Sequence, residues 1–247
     1  SSCGSLWIGS SDGLYTYSDN KLDVVKNKPY SVDYISFLNE ALLFYADYNT
    51  LEILDLETSE STLIHEIQRE KFIQVSSCYF DKKNQTLWIG TFSHGLYLYD
   101  FKTHFFSELK IKGFPHQPIL AIESKNDNRL LIGVDGQGIW ELDRKTKTVL
   151  DIYKEDINDS FSLRGDGVYD IFCDDNKVWV ATYTGGLSFF EENTPLVKQI
   201  NHQINNPNSL GNNDVHQIFE DYNGNIWFTT NNGISRWNLS TNQWKTY

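Results

Sequence analysis

The sequence has few cysteines, and those it has are not spaced like ligands. Cys3, Cys78 and Cys173 are the three in 247 residues, and no Cys-x-x-Cys or His-x-x-x-His spacing accompanies them. An odd and sparse set of this kind excludes a disulfide framework. Cys78 and Cys173 suit small buried positions in strands. We therefore expect no metal site, and nothing in the sequence predicts a cofactor.

Long apolar runs, basic clusters and helical periodicity are missing as well. No run approaches the roughly 18 apolar residues of a membrane span, so we expect that this chain itself does not cross a membrane. The formal net charge is −12 and Lys and Arg form no cluster, which excludes nucleic acid as an expected partner because it requires a basic footprint. Without a sustained 3.6-residue apolar period, little or no helix is predicted.

What the chain does have is a repeat. Apolar runs of the Leu-Trp-Ile-Gly type are each followed, after a short polar turn, by a second apolar run that a glycine usually opens. The runs lie at 6–9, 42–45, 87–90, 130–133, 178–181 and 226–229, the second being a weak copy. Their spacing is close to the roughly 40–50 residues of a propeller blade. The predicted fold is all-β, a β-propeller of four-stranded antiparallel blades.

Six repeat units divide the chain into expected blades. Their approximate bounds are 5–27, 30–65, 72–109, 117–153, 166–200 and 213–247. The first unit begins at its second strand, so we expect it to lack a first strand. Two readings stay open: six blades that close with one three-stranded blade, or part of a larger propeller, which we favour because a propeller normally hides its strand edges by closing.

The second strand of each unit is apolar on both faces, as at 87–89. Such a strand is covered on both sides, as happens when blades stack face to face. We interpret the recurring Trp side chains as packing between blades rather than as platforms for sugars, because each buries a large area with few torsions to fix.

The turns between second and third strands are the predicted ligand-binding positions. In a propeller they gather at one end of the channel, together with the two longest inter-blade loops, 154–166 and 201–214. Their aromatic, amide and acidic groups suit a neutral polar ligand such as a sugar. The candidate residues are Asp12, Tyr48, Phe92, His94, Asp135, Gln137, Tyr183 and Asn231.

No catalytic residue is predicted. The adjacent acids at 174–175 and 191–192 would point to opposite faces of a strand. A glycosidase needs two carboxyl groups that converge on the substrate. A lyase or glycosidase stays a hypothesis that requires converging His, Arg or carboxylate groups with perturbed pKa values at the channel mouth.

Several motifs together resemble a known family. An Asn-Pro-Asn-Ser-Leu segment at 206–210 precedes a blade, and a related segment lies at 158–163. The runs at 224–230 and 87–91 and the Gly-Leu-Tyr-Leu-Tyr-Asp run at 95–100 complete the pattern. In combination they are similar to the two-component regulator propeller repeat, and the likeness covers the whole chain.

This resemblance implies a non-catalytic, periplasmic sensor region of a hybrid two-component system. The parent polypeptide would then be a sensor histidine kinase of the inner membrane, and the signal an oligosaccharide. Binding would be relayed through the rest of the ectodomain, by a shift in blade packing or in the arrangement of a homodimer. The alternative hypothesis is an interaction scaffold that docks a protein on a propeller face or edge.

Overall fold

The computed structural model describes residues 5–68, 72–156, 159, 161–174, 177–191 and 194–247, with the side chains of 194–198 outside the description. The described residues form strands and turns, and none of them is helical. They build six antiparallel sheets, which we number in chain order. The predicted all-β propeller fold is confirmed. No helix long and apolar enough to cross a membrane occurs in these ranges.

The chain divides into two compact units, residues 1–109 and 110–247. Unit 1 holds sheets 1 to 3, and in each the strands are neighbours in chain order. Sheet 1 has three strands, as expected from the missing first strand. The strands are β1 (Leu6–Ser10), β2 (Gly13–Ser18), β3 (Lys21–Asn27); β4 (Val32–Phe37), β5 (Leu42–Asp47), β6 (Thr50–Asp55), β7 (Ser61–Glu66); β8 (Val75–Asp81), β9 (Thr86–Thr91), β10 (Leu96–Asp100) and β11 (Phe105–Leu109).

Unit 2 holds sheets 4 to 6, each with four strands in chain order. The strands are β12 (Ile119–Asn126), β13 (Arg129–Val134), β14 (Gly138–Asp143), β15 (Val149–Tyr153); β16 (Val168–Asp174), β17 (Lys177–Thr182), β18 (Gly186–Glu191), β19 (Thr194–Ile200); β20 (Val215–Glu220), β21 (Asn225–Thr230), β22 (Gly233–Asn238) and β23 (Gln243–Thr246). The extent of the whole domain stays a prediction.

The second strands are covered on both faces. In sheet 5, Val180 packs in a core cluster shared with sheet 4, whereas its neighbour Trp179 packs in the cluster shared with sheet 6. Trp88 and Trp179 are 0% and 1% exposed, which agrees with the packing interpretation of these residues. Replacing a buried Trp by Ala typically costs about 3–5 kcal/mol. Trp7 in sheet 1 and Trp227 in sheet 6 are half-buried.

Each four-stranded sheet has a bulge at the same point of its first strand. The strand register shifts after the opening residue, for example between Val168 and Asp170 and between Val215 and Gln217. A bulge leaves one residue outside the ladder and re-aims its side chain. The bulged residues are Asp33, Ser76, Leu120, Tyr169 and His216.

In the loop before sheet 5, the described residues 154–156, 159 and 161–166 form a set of contacts that we call the first clasp. The Ser162 hydroxyl accepts a hydrogen bond from the amide of Asp156 (2.9 Å) and lies 2.8 Å from the carbonyl of Asp159, to which it donates. Leu163, the next residue, is 1% exposed and belongs to the core cluster between sheets 4 and 5. A serine and a leucine therefore fasten this loop.

The loop 201–214, before sheet 6, repeats this structure, and we call it the second clasp. The Ser209 hydroxyl accepts from the amide of Gln203 (3.1 Å) and donates to the carbonyl of Asn206 (2.8 Å). Leu210 is 0% exposed and packs in the core cluster of sheets 5 and 6. The residue offsets are the same in both clasps, so the Ser-Leu pair of the family motif has a structural role.

Candidate functional site

Unit 2 brings three of the eight predicted residues into one cluster. Asp135, Tyr183 and Asn231 lie in the turns between second and third strands of sheets 4, 5 and 6. They meet the bulged residues of the first strands there. We call the group the bulge–turn cluster; its members are Asp135, Tyr169, Tyr183, Asp214, His216 and Asn231.

One half of the bulge–turn cluster is aromatic. The rings of Tyr169 and Tyr183 meet edge to face, with 5.8 Å between centroids and an interplanar angle of 81°. On its other side Tyr169 lies against the imidazole of His216, at 5.4 Å. Tyr183 is 51% exposed, so a ring is available for stacking at the surface.

The other half is a chain of hydrogen bonds. Asp214 only accepts, and its carboxylate receives bonds from the Asn231 amide nitrogen (2.8 Å) and from the backbone amide of Thr184 (2.9 Å). The Asn231 amide oxygen therefore faces His216, whose Nε2 lies 2.7 Å away. Since that oxygen can only accept, His216 donates from Nε2. The side chains are oriented before any ligand arrives.

Charge and burial also act on Tyr169. Burial raises the pKa of its hydroxyl, and the nearby Asp135, Tyr183 and Asp214 raise it further. The shift moves ionisation of the phenol further above neutral pH, and the neutral phenol can donate a hydrogen bond. Gly167 leaves room here, because a side chain on it would contact both Tyr183 and Asp135.

Gln137 shares a turn with Asp135 but faces another part of the molecule. Its side-chain oxygen accepts a hydrogen bond from the Lys154 ammonium group (2.9 Å), which belongs to the first clasp. Its carbonyl accepts from the indole of Trp140 (3.2 Å). The described contacts of Gln137 thus tie its turn to the clasp and do not join it to the bulge–turn cluster.

In unit 1, Tyr48 forms a separate aromatic group. Its ring lies 5.6 Å from that of Tyr30 and 4.8 Å from that of Phe72. Tyr48 is 44% and Tyr30 37% exposed. Tyr30 and Phe72 precede the first strands of sheets 2 and 3, and Tyr48 lies in the turn between β5 and β6. Together the three rings present an apolar surface.

The other predicted residues of unit 1 make local contacts. Asp12 is exposed, and a hydrogen bond to its carboxylate raises the pKa of Tyr15. Phe92 is 41% exposed. The Nδ1 atom of His94 lies 2.9 Å from the hydroxyl of Ser93. The backbones of Asp12 and Phe92 bond to Lys28 (2.9 Å) and Gln74 (3.0 Å) in the segments between sheets, and no described side-chain contact brings the three residues together.

Tyr169, Asp214 and His216 were not among the site residues predicted from the sequence. Tyr169 and His216 occupy equivalent positions, directly after the buried Val168 and Val215. Aligning the first strands of the repeats would have shown this equivalence. Asp214 lies at the end of a loop that was predicted to be functional, but its two hydrogen-bond partners are visible only in the structure.

Two half-buried carboxyl groups bear on the hypothesis of an enzyme. Burial raises the pKa of Glu123 to about 7 and that of Asp170 to about 6. The oxygens of Asp170 accept from the backbone amides of Ile171 (2.9 Å) and Ile218 (2.8 Å). The Glu123 carboxyl accepts from its neighbouring amide at 2.8 Å. These acids are engaged by the backbone.

Neither of the acid pairs considered from sequence is complete in the structure, because Asp175 and Glu192 lie outside the described residues. Cys3 also lies outside them. Among the side chains that are described, no three of His, Cys, Asp or Glu come together in a group that could hold a metal ion.

Comparison with known proteins identifies the repeat. Residues 209–232 match the family model described as "Two component regulator propeller". This segment contains the Ser-Leu pair of the second clasp, Asp214, His216 and Asn231. The chain is also 23% identical over 294 aligned residues to "Histidine kinase P4" of Formosa agariphila, an alignment that covers 96% of this chain and 21% of that protein.

Two solved structures share the fold. The extracellular domain assigned to a hybrid two-component system of B. thetaiotaomicron is 22% identical with a TM-score of 0.68, over 88% of this chain and 31% of that one. PorZ, a surface component of the type-IX secretion system of Porphyromonas gingivalis, is 16% identical with a TM-score of 0.72, over 93% and 36%.

The chain therefore spans about a fifth of the curated relative's length and about a third of each of these structures. At such identities the structural likenesses show the propeller fold alone. The family match falls on the blade whose linker and strands carried the resemblance in the sequence. The resemblance is confirmed at this blade, where residues 209–232 match the two-component regulator propeller repeat.

Proposed function

We propose that this chain is the ligand-recognition region of a two-component sensor, and that the bulge–turn cluster binds its signal. The observation that carries the proposal is the unbroken series of contacts from Tyr183 through Tyr169, His216 and Asn231 to Asp214. These side chains come from two adjacent blades, and Asp135 adds a third.

The chemistry of the cluster fits a neutral polar ligand such as an oligosaccharide. The exposed ring of Tyr183 supplies a face on which a sugar ring can stack, and the oriented His, Asn and Asp groups match hydroxyl donors and acceptors. Of the two carboxylates described in the cluster, Asp135 and Asp214, the second is already engaged by Asn231 and Thr184, which supports recognition without catalysis.

Signalling requires that the ligand interacts differently with two states of the protein. The members of the cluster belong to the turns and first strands of sheets 4, 5 and 6, so a bound ligand would favour one packing of these blades. The relay would pass to the rest of the ectodomain, to a histidine kinase in the parent polypeptide, and through a homodimer. The extracellular domains among the similar structures support a periplasmic or extracellular location, and the proposal adds attachment of the parent polypeptide to the inner membrane.

An interaction scaffold is the second candidate function. The exposed aromatic group of Tyr30, Tyr48 and Phe72 favours it, since aromatic residues are enriched where proteins dock. Under this hypothesis unit 1 would contact a protein and the bulge–turn cluster would bind no small ligand.

The test is binding of a panel of neutral oligosaccharides, measured by calorimetry, to the protein and to Tyr183→Ala. We expect one class of glycan to bind, and the variant to lose about tenfold or more in affinity, because an exposed aromatic platform dominates such sites. Tyr222→Ala is the matched control, since Tyr222 is fully exposed in unit 2 and lies outside the cluster.

Equal affinity of the protein and of Tyr183→Ala for the bound glycan would remove the cluster from the proposal. Release of shorter products from a bound oligosaccharide would contradict the non-catalytic role.

A further inference from the structure

A polar pocket lies beside the first clasp. It has a volume of about 420 Å³, and the residues that give it its character are Glu155, Arg164, Thr184, Gln199, Asn201 and Asn213. We infer that this clasp pocket binds a small carboxylate-bearing polyol, of which a uronic acid is the simplest sugar example. The pocket adjoins the bulge–turn cluster through Thr184, whose backbone amide donates to Asp214, but the inference does not depend on the function proposed for that cluster.

The backbone of Arg164 is fixed in place. The preceding Leu163 is buried in the core, and the carbonyl of Arg164 accepts a hydrogen bond from the hydroxyl of Thr182 (2.8 Å). The turn between β17 and β18 packs directly on this carbonyl, because a Cβ atom at Gly185 would lie 1.6 Å from the carbonyl oxygen. Only glycine permits such an approach, so the loop and the hairpin hold a defined position.

The guanidinium group of Arg164, in contrast, is not engaged by any residue that the structure describes. It is half-buried, yet no described residue forms a hydrogen bond or an ion pair with its guanidinium group. In a chain with 33 acidic and 21 basic residues, a partly desolvated Arg without a carboxylate partner is notable. Guanidinium presents a planar fork of donors that matches a carboxylate with two parallel hydrogen bonds.

Glu155 narrows the choice of ligand. It lines the same pocket, but the described residues contain no ion pair between it and Arg164. A simple anion such as sulfate or phosphate would meet Arg164 and be repelled by Glu155. A ligand with a carboxylate at one end and hydroxyl groups at the other satisfies both residues, and the amides of Gln199 and Asn201 add partners for hydroxyl groups.

The second clasp shows that the pocket is a repeated structure with a variable lining. A pocket of about 380 Å³ lies beside it. The two clasps are closed by the same bond, from the amide of Glu155 to Asp166 (2.7 Å) and from that of His202 to Asn213 (2.6 Å). The backbone that forms the pocket is therefore common to both.

The side chains at equivalent positions differ between the two pockets. Arg164, Glu155, Gln199 and Thr184 of the first correspond to Gly211, His202, Thr246 and Asn232 of the second. The clasp is built in the second copy without Arg164 or Glu155, so the structure of the loop does not require them. Their presence in the first copy points to a ligand.

The experiment uses glucuronate, glucose and inorganic sulfate as probes, with binding followed by calorimetry and by amide chemical shifts of the clasp. We expect glucuronate to bind in preference to glucose and sulfate. Arg164→Ala should weaken glucuronate binding about tenfold or more, and Arg164→Lys should restore part of it, because charge returns without the fork. Arg236→Ala removes an Arg from sheet 6 and serves as the control.

The inference is overturned if glucose binds as well as glucuronate, if sulfate competes equally, or if Arg164→Ala binds like the unaltered protein. A thermal melt of each variant separates lost binding from lost folding. Tyr183→Ala distinguishes the two proposed sites. This variant should weaken binding of the neutral glycan and leave binding of glucuronate unchanged.

Discussion

The first and second clasps are two copies of one loop that are attached to the neighbouring strands by different bonds. In the second, Asn208 accepts a hydrogen bond from the amide of Trp244 in the last strand (2.6 Å), and the amide of Gly211 donates to the hydroxyl of Ser235 (3.0 Å). In the first, the position of Asn208 is taken by Phe161, which is 49% exposed and cannot accept such a bond.

This difference separates residues that hold the chain from residues that face a ligand. The Ser and Leu that recur in both clasps make the same bonds and fill the same kind of core position. Residues that change between the copies, such as Arg164 and Gly211, line the pockets, and in the second copy the recurring Ser209 and Leu210 line the pocket as well. In a repeat protein, the positions that do not repeat are the ones where function should be sought.

The largest effect is expected from removing the buried leucine of either clasp. Leu210→Ala and Leu163→Ala should each lower the free energy of unfolding by about 2–5 kcal/mol, because each leaves a cavity in a core shared by two blades. Chemical denaturation measures the loss. Ile204→Ala is the control in the same loop: Ile204 is 82% exposed, and its loss should change stability by less than about 0.5 kcal/mol.

If Leu210→Ala were as stable as the unaltered protein, the second clasp would not be part of the core, and the comparison between the two loops would lose its basis.

A smaller effect should distinguish the two serines. Ser209→Ala leaves the amide of Gln203 without its acceptor, and because Ser209 is 7% exposed the expected cost is about 1–3 kcal/mol. Ser162 is half-buried, so water can replace part of its bonds and Ser162→Ala should cost less. Denaturation midpoints of the two variants make the comparison. Equal losses of unfolding free energy in the two variants would contradict this expected difference between the two serines.

Much of the fold could be predicted because its determinants are local. A run such as Leu87-Trp88-Ile89 is apolar on both faces, and the Asn and Gly residues of the turns place the hairpins between the strands. The missing first strand of sheet 1 followed from the same reading. The Ser-Leu pair of each clasp was noted as part of a family motif, but its two hydrogen bonds are seen only in the structure.

The candidate site could be predicted only in part, because it depends on contacts between blades. Asp135, Tyr183 and Asn231 were named from their turns, and they do meet. Gln137 lies two residues from Asp135, yet Lys154 holds its side chain elsewhere. Tyr169 enters the site through a bulge, which shifts the strand register by one residue and leaves no mark in the apolar pattern.

The packing of sheets 4, 5 and 6 should respond to pH, because two carboxyl groups with raised pKa values lie on the first strands of sheets 4 and 5. Asp170 of sheet 5 accepts from the amide of Ile218 in sheet 6 (2.8 Å), and the equivalent residue in sheet 4 is Ala121. Glu123 lies near Asp170, with Arg144 as the opposing charge. Burial raises the pKa of Glu123 to about 7 and of Asp170 to about 6.

A carboxyl group whose pKa is raised in the folded state favours folding while it is protonated. Its contribution is complete below the unfolded-state pKa of about 4 and is lost as the pH rises through the folded values of about 6 and 7. Glu123→Gln keeps the shape and the acceptor oxygen but cannot ionise. Between pH 5 and pH 8 this variant should therefore gain on the order of 1 kcal/mol in unfolding free energy relative to the unaltered protein, as measured by denaturation at each pH. The control is Glu40→Gln, at an exposed position. If the pH profiles of Glu123→Gln and the unaltered protein ran parallel, ionisation of the Glu123 carboxyl would not destabilise the folded protein.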